Sequence, residues 1–360
     1  MSFPTPLTAR LGVSLPIMSA GMAGVAGPEL VAAVSNAGGF GTLGAIGMAP
    51  EVLRAQIRRT RTLLAPGRPL GVDLLLPKLG AGARATNKDY TGGQLQALVQ
   101  VMIDEAVELF VCAVGVPPRE VVDALHQNGT LVMNMVGSPR HVKYCIAAGV
   151  DIICAQGTEA GGHTGDISSL VLIPQVVDLC RGTGILVVGA GGISDGRGIA
   201  AAMALGASGA WIGSRFLMTT EANAPRSYKA AVQAARSGDT LRTEIYTGRP
   251  ARTLRNAYAA EWEGERAEEK RRLLRQGTIP FVQDTQQGRF GASVPSPIPT
   301  SFDDVRDQGD EQFDTSKACV AIGQACGALD DVPPAAEGVN TLMEELRASL
   351  SSLPDAQQGT

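Results

Sequence analysis

The sequence predicts an α/β protein: a closed (β/α)8 barrel with a smaller α/β domain inserted before the last barrel helix. Short apolar runs recur eight times within the first 215 residues, amphipathic segments separate them, and a more charged stretch follows Phe216. The runs are continuously apolar rather than alternating, which is typical of strands buried on both faces of a parallel sheet. An open doubly wound sheet is the alternative, and eight units of even length favour the closed barrel.

The eight apolar runs are the predicted barrel strands, and the segments between them are the predicted helices. The strands are expected at 16–20, 40–43, 70–74, 109–114, 131–136, 151–155, 185–189 and 209–212. The helices are expected at 28–36, 50–62, 94–108, 118–128, 139–148, 172–181 and 196–205. Several begin near a proline and end before a glycine, which are start and stop signals of helices.

The smaller domain is predicted over 217–334, and the barrel over 1–216 plus about 335–350. Within the insertion we expect helices at 228–237 and 261–276 and a loop-rich stretch at 277–314. Apolar residues at helical spacing make 335–350 the last barrel helix, and 351–360 is expected to be frayed. The polar loop after the third strand, 76–93, is either a lid that joins the smaller domain or a surface loop.

Composition restricts the class of protein. The formal net charge is −4, which argues against a nucleic-acid-binding protein. The N-terminus lacks a secretory signal and no apolar run is long enough to span a membrane, so a cytoplasmic enzyme without a membrane partner is expected. The six cysteines contain no CxxC pair, which favours buried thiols over disulfides or a metal site.

The loop after the sixth strand, Gln156 to Asp166, has the sequence QGTEAGGHTGD. His163, one of only three histidines, lies in it, and a titratable side chain on a loop at the carboxyl end of a barrel strand is typical of a catalytic residue. A structural histidine is the alternative. Gly161 and Gly162 allow the backbone to approach a ligand closely, so they are predicted to contact a cofactor.

A phosphate site is predicted where the seventh and eighth strands end. Gly191 and Gly192 follow the seventh strand, and Gly213 and Ser214 follow the eighth. These two loops are neighbours in a barrel, and barrel enzymes often bind phosphate there. Glycines that only make tight turns are the alternative for each loop, but their occurrence in both favours a phosphate site.

The other predicted ligand contacts come from the first, third, fifth and sixth strands. Small residues after the first strand leave room for a flat ring, and polar side chains on the other strands could bind the edge of that ring. For Asn134 a satisfied core polar group is an equal alternative. The residues are Ala20, Gly21, Met22, Asp73, Asn134 and Gln156.

Together these motifs resemble the nitronate monooxygenase family, formerly called 2-nitropropane dioxygenases. The resemblance rests on GMAG, QGTEAGGHTGD, GAGGISDGRG and IGSRF, is extended by TGRPART at 247–253 followed by Asn256, and covers at least 15–262. It implies a barrel that binds FMN, with the phosphate on the two glycine loops, the ring near the first strand, Asp73 and Gln156, and His163 facing the substrate. Many relatives have Asn in place of Asp73, and some have Lys where this chain has the sequence Val136-Gly137-Ser138.

The resemblance implies oxidation of nitronates or nitroalkanes by O2 to carbonyl compounds and nitrite, with His163 as the base or the anion anchor. Two alternatives are an NAD(P)H-dependent FMN reductase of quinones or enoyl thioesters, and a flavin-free barrel that binds a phosphorylated ligand. Arg249, Arg252 and Arg255 bind an anionic group or form a solvated face. A homodimer is compatible with the sequence but is not specified by it.

Overall fold

The computed structural model describes residues 2–290, 294–296 and 313–352. In chain order its strands are β1 (Ile17–Ser19), β2 (Gly41–Gly44), β3 (Leu70–Leu75), β4 (Leu109–Ala113), β5 (Leu131–Val136), β6 (Ile152–Gln156), β7 (Gly162–His163), β8 (Leu186–Ala190), β9 (Ala210–Ile212), β10 (Thr240–Thr243) and β11 (Ala251–Leu254). All except β7, β10 and β11 belong to one eight-stranded parallel sheet in the order β1-β9-β8-β6-β5-β4-β3-β2.

The ends of this sheet meet, which closes the barrel. The Phe40 N–H donates to the Ile17 carbonyl at 2.9 Å, and the Ser19 N–H donates to the Phe40 carbonyl at 2.9 Å. These bonds join β1 to the residue preceding β2, where Met18 and Phe40 form a parallel bridge. The predicted (β/α)8 barrel is confirmed, and the open sheet is excluded.

The helices of the described chain cover the outside of the barrel and build the smaller region. They are α1 (Pro6–Leu11), α2 (Pro28–Asn36), α3 (Pro50–Leu63), α4 (Leu95–Asp104), α5 (Arg119–Gln127), α6 (Val142–Ala148), α7 (Ser169–Cys180), α8 (Gly196–Ala204), α9 (Ser214–Leu217), α10 (Arg226–Ala234), α11 (Ala257–Glu263), α12 (Ala267–Arg275), α13 (Pro280–Gln286) and α14 (Ala335–Ser351). The last of them, α14, packs against both α8 and α2, so it completes the outer ring as predicted.

The inside of the barrel is filled by its own apolar cluster. Leu7 and Leu11 of α1 join strand residues such as Met133 and Trp211 in this cluster. Because a Cβ on Gly209, which precedes β9, would lie 2.5 Å from Leu7 Cδ2, α1 covers the amino-terminal ends of the strands. The sequence analysis did not predict this helix. With that end filled, the described residues leave room for a ligand at the carboxyl ends of the strands.

A small antiparallel sheet lies outside the barrel. Its strand order is β10-β11-β7, and β7 comes from the loop after barrel strand β6. A separate apolar cluster supports it, built from residues that lie between β10 and α13 and include Tyr246, Tyr258 and Trp262. The smaller region therefore takes one of its strands from the barrel.

Two predictions within the insertion differ from the structure. The helix expected at 261–276 is two helices, α11 and α12, because α11 is capped at Asn256 and ends at Gly264. The stretch 277–314, expected to be loop-rich, contains α13, which begins at Pro280. Residues 291–293 and 297–312 of that stretch, and 353–360 of the tail expected to be frayed, lie outside the described residues.

The loop 76–93 packs against the connection between β10 and β11. The Thr86 hydroxyl donates to the Gly248 carbonyl at 2.8 Å, and Arg84 forms an ion pair with Glu244 at 2.7 Å. This loop and the smaller region therefore stand together beside the carboxyl ends of the strands. No helix among the described residues is long and apolar enough to cross a membrane.

Candidate active site

A cavity of about 1470 Å³ lies at the carboxyl ends of the barrel strands. Sites for a single drug-sized ligand usually measure roughly 300–1,000 Å³, so this cavity can hold a cofactor and a substrate together. The structure brings every predicted site residue into its wall. They are Ala20, Gly21, Met22, Asp73, Asn134, Gln156, Gly161, Gly162, His163, Gly191, Gly192, Gly213 and Ser214.

The backbone of His163 is held by both parts of the molecule. In β7, His163 pairs with Ala251 of β11. From the barrel side, the Gln156 side-chain amide donates to the His163 carbonyl at 2.7 Å. Gly162 makes the turn before the histidine at φ +70°, a conformation that residues with a Cβ rarely adopt. The position of His163 therefore depends on pairing with the smaller sheet as well as on the barrel.

The His163 side chain is partly buried and its ring is fixed by a hydroxyl. Its Nε2 lies 3.0 Å from Thr247 Oγ1. Burial and, as the smaller cause, the positive charge of Arg249 together lower the pKa of His163 to about 4. The ring is therefore neutral at neutral pH, since the charged form would lose hydration and lie near another cation.

Arg249 is a partly buried cation in the cavity wall. Its guanidinium donates to Asn87 Oδ1 at 2.6 Å and to the Val114 carbonyl at 3.4 Å. Among the described residues no carboxylate forms an ion pair with it, and burial lowers its pKa, as does the charge of Arg84. Of the three arginines considered for an anion site, Arg252 is buried and bonded to Thr158, and Arg255 is exposed.

Asp73 is a buried acid at the mouth of the barrel. Only 3% of it is exposed, and its Oδ1 has no hydrogen-bond partner among the described residues. Burial raises the pKa of this carboxyl well above its ordinary value, because a charged carboxylate would lose its hydration there. A Cβ on Gly21 would lie 2.4 Å from Asp73 Cβ, so the loop after β1 can pass Asp73 only as glycine.

The glycine loops after β8 and β9 form a narrow cradle. Gly191 and Gly192 adopt φ of +95° and +73°, and a Cβ on Gly191 would lie 2.9 Å from the Gly157 carbonyl. The Gly323 N–H donates to Ser214 Oγ at 3.3 Å, which brings the segment before α14 onto the same loops. Backbone N–H groups and a hydroxyl concentrated in this way suit a phosphate group.

Asn134 differs from the other predicted ligand residues. Its neighbours along β5, Met133 and Met135, pack in the barrel interior, and its register partners Cys112 and Ile153 belong to the layer between strands and helices. Because side chains alternate along a strand, the Asn134 side chain points toward the helices. Its own Nδ2 donates to the Met135 carbonyl at 3.0 Å. Its Oδ1 is buried and has no hydrogen-bond partner among the described residues, so Asn134 is not a fully satisfied core polar group.

Sequence reasoning missed several residues of the cavity wall. Thr247 was recognised only as part of a motif, Gly323 was not assigned to the site, and His141, within the helix predicted at 139–148, also lines the cavity. The signal for Thr247 was its place in TGRPART, a short run with Gly and Pro between two strands. Gly323 could have been recognised as the first residue of the short glycine-containing segment GQACG at 323–327.

Comparison with known proteins agrees with this geometry. The sequence profile described as nitronate monooxygenase matches residues 4–345. A nitronate monooxygenase of Pseudomonas aeruginosa is 32% identical, over 94% of this chain and 98% of that protein. A (3aS,4S,5R,7aS)-5-hydroxy-7a-methyl-1-oxo-octahydro-1H-indene-4-carboxyl-CoA dehydrogenase of Mycobacterium tuberculosis is 31% identical, over 95% of this chain and 96% of that protein. The solved nitroalkane oxidase of Streptomyces ansochromogenes is similar at a TM-score of 0.78 and 30% identity, over 96% of this chain and 99% of that one.

Proposed function

Because this chain belongs to the nitronate monooxygenase family, whose members are flavin-dependent oxidoreductases, we propose that it binds FMN in the cavity and oxidises nitronates with O2. The products are a carbonyl compound and nitrite. The observation that carries the proposal is His163, a neutral imidazole in the wall of a cavity that also contains the glycine cradle.

The residues of the cavity fit FMN. The cradle at Gly191, Gly192 and Ser214 suits the phosphate, and it requires glycine at 191 because a Cβ there would lie 2.9 Å from the Gly157 carbonyl and from Ser169 Oγ and would displace the loop. Asp73, whose Oδ1 has no partner among the described residues, can form a hydrogen bond with the polar edge of a ring, and burial raises its pKa and so favours the protonated form that donates. Small residues after β1 leave space for that ring between the strand ends.

Bound FMN would supply the electron acceptor that is oxidised again by O2, and the chain supplies position and proton transfer. A neutral nitroalkane must lose its α-proton before oxidation, and the neutral imidazole of His163 can accept it. A nitronate has already lost that proton. His163 is therefore required for the first substrate and has at most a binding role for the second.

The substitution His163→Asn tests this role with both substrate forms. We expect turnover of a neutral nitroalkane to fall on the order of 100-fold or more, while the corresponding nitronate keeps most of its rate. The measurements are nitrite release and the ratio of flavin to protein, which is expected to be unchanged. His126→Asn is the matched control, because His126 is exposed and paired with Asp151 at 2.8 Å, away from the cavity. Full activity of His163→Asn on the nitroalkane would refute the assignment.

A reductase that receives electrons from NAD(P)H and acts on quinones or enoyl thioesters is the second candidate. It is favoured by the similarity to a dehydrogenase of a coenzyme A thioester. Lys78, Arg84 and Arg140 in the cavity wall are suited to the phosphates of such a substrate. Anaerobic mixing separates the two functions: bleaching of the flavin by NADH or NADPH supports the reductase, and bleaching by nitronate alone supports the monooxygenase.

A further inference from the structure

The cavity contains a cation that forms no ion pair with any carboxylate of the described residues. Arg249 lies in its wall, and its two hydrogen-bond partners, Asn87 Oδ1 and the Val114 carbonyl, are both neutral. Another arginine of the wall, Arg84, is paired with Glu244 instead. Removing a charge from water is costly unless an opposite charge compensates it, so an unpaired cation facing a cavity suits an anionic ligand.

Arg249 is held in a defined position before any ligand binds. Asn87 belongs to the loop 76–93, and Val114 follows β4, so two separate parts of the chain fix one guanidinium. Val114 has φ of +74°, which a β-branched residue rarely adopts. Strained backbone is typical of functional sites, and here it presents the carbonyl that accepts from Arg249.

Arg249 and His163 act on the same region of the cavity. The positive charge of Arg249 lowers the pKa of His163, and Thr247, which contacts the His163 ring, also donates to the Arg249 carbonyl at 3.4 Å. An anion bound by the guanidinium therefore lies within electrostatic range of the imidazole. An anion there is attracted by Arg249, whereas a neutral molecule of the same shape gains much less.

We propose that Arg249 is the anion-binding residue of this site and that it selects the nitronate form of the substrate over the neutral nitroalkane. The proposal rests on the proposed function, since it names the form in which that substrate binds. The two oxygens of a nitronate share the negative charge in one plane, and the planar fork of a guanidinium matches two such acceptors.

The experiment uses the flavin-loaded enzyme and the variants Arg249→Met and Arg249→Lys. For ethylnitronate we expect KM to rise on the order of tenfold to a hundredfold in Arg249→Met, with a smaller rise in Arg249→Lys, because a charge-assisted hydrogen bond is lost or weakened. For neutral nitroethane, KM should stay within about twofold. The matched control is Arg255→Met, an exposed arginine six residues along the chain.

Nitrate provides a test that does not depend on turnover. This inert planar anion is titrated into each enzyme while flavin absorbance is followed, and Arg249→Met should bind it on the order of tenfold or more weakly than wild type does. If Arg249→Met fails to fold or loses its flavin, the nitrate affinity and the nitronate KM of Arg249→Lys decide between the outcomes. Unchanged nitrate affinity and nitronate KM in the folded variants overturn the proposal. If wild type binds nitrate through Arg249 but does not oxidise nitronate, the anion site stands and the proposed function fails.

Discussion

Lowering the pH should inactivate the enzyme toward neutral nitroalkanes only near pH 4. Burial and the neighbouring Arg249 lower the pKa of His163 from 6.5 to about 4, so the ring stays neutral through most of the acidic range. At pH 7, protonating it would cost about 4 kcal/mol, which is three pH units at about 1.4 kcal/mol each. Half of the basic form should remain at about pH 4.

The assay is kcat/KM for nitroethane as a function of pH, because this parameter reports the free enzyme. It should be constant from about pH 8 to about pH 5 and fall to half at about pH 4. Enzyme returned from each pH to neutral buffer must recover its activity, which separates titration from unfolding. Arg249→Met should move the midpoint upward, since a positive neighbour of the imidazole is removed.

A midpoint near 6.5, the ordinary pKa of histidine, would refute the reasoning from burial and charge. The same shift has a consequence for stability. Because the pKa in the folded chain lies below that in the unfolded chain, the unfolded chain binds the proton first as pH falls. The free energy of unfolding should therefore decrease by about 3 kcal/mol between about pH 6.5 and pH 4, and His163→Gln should remove that part of the decrease.

Two further predictions concern stability and cofactor binding. Asp284 is 1% exposed, accepts hydrogen bonds from Tyr258 and Trp262, and forms ion pairs with Arg266 and Arg289. Asp284→Asn should lower the free energy of unfolding, measured in urea, by about 3 kcal/mol. The control Asp178→Asn breaks an exposed ion pair with Arg181 and should have little effect. Gly191→Ala should lower the ratio of flavin to protein, because its Cβ would lie 2.9 Å from the Gly157 carbonyl. The control is Gly182→Ala, which also has a positive φ, +79°, but whose Cβ would meet no atom within 4 Å, so it adds backbone strain and should leave the flavin content unchanged. Equal flavin content in both variants would contradict the cradle.

The barrel could be predicted because burial on both faces leaves a continuous apolar run. Each of its eight strands has such a run, and the structure places a strand in each. The smaller sheet left no such pattern. The sequence of β10 is TLRT, that of β11 is ARTL, and β7 has only two residues. These strands are too short and too polar to be recognised as apolar runs. Their pairing joins residues that are far apart in the chain, which no local pattern can indicate.

The candidate site could be predicted in part. His163 was predicted because a titratable residue in a glycine-rich loop after a buried strand is unusual, and the structure places it in the cavity wall. The role of Asn134 stays a prediction: it borders the cavity, but the alternation along β5 puts its side chain on the face opposite to Met133 and Met135. The sequence could not decide whether Arg249 binds an anion or lies on a solvated face, because the spacing of charged residues does not indicate which of them the fold will bury.

The short strand β7 determines what can be changed when this scaffold is redesigned. Its two residues pair with β11, and side chains alternate along a strand, so a slip of one residue in this pairing would turn the histidine to the opposite face. The connection 244–250 leads from β10 into β11 and contains Arg249 and Thr247, whose hydroxyl contacts the histidine ring. Transplanting the smaller region onto another barrel therefore requires the length of this connection to be kept, even where every residue of the recipient barrel mouth is already suitable.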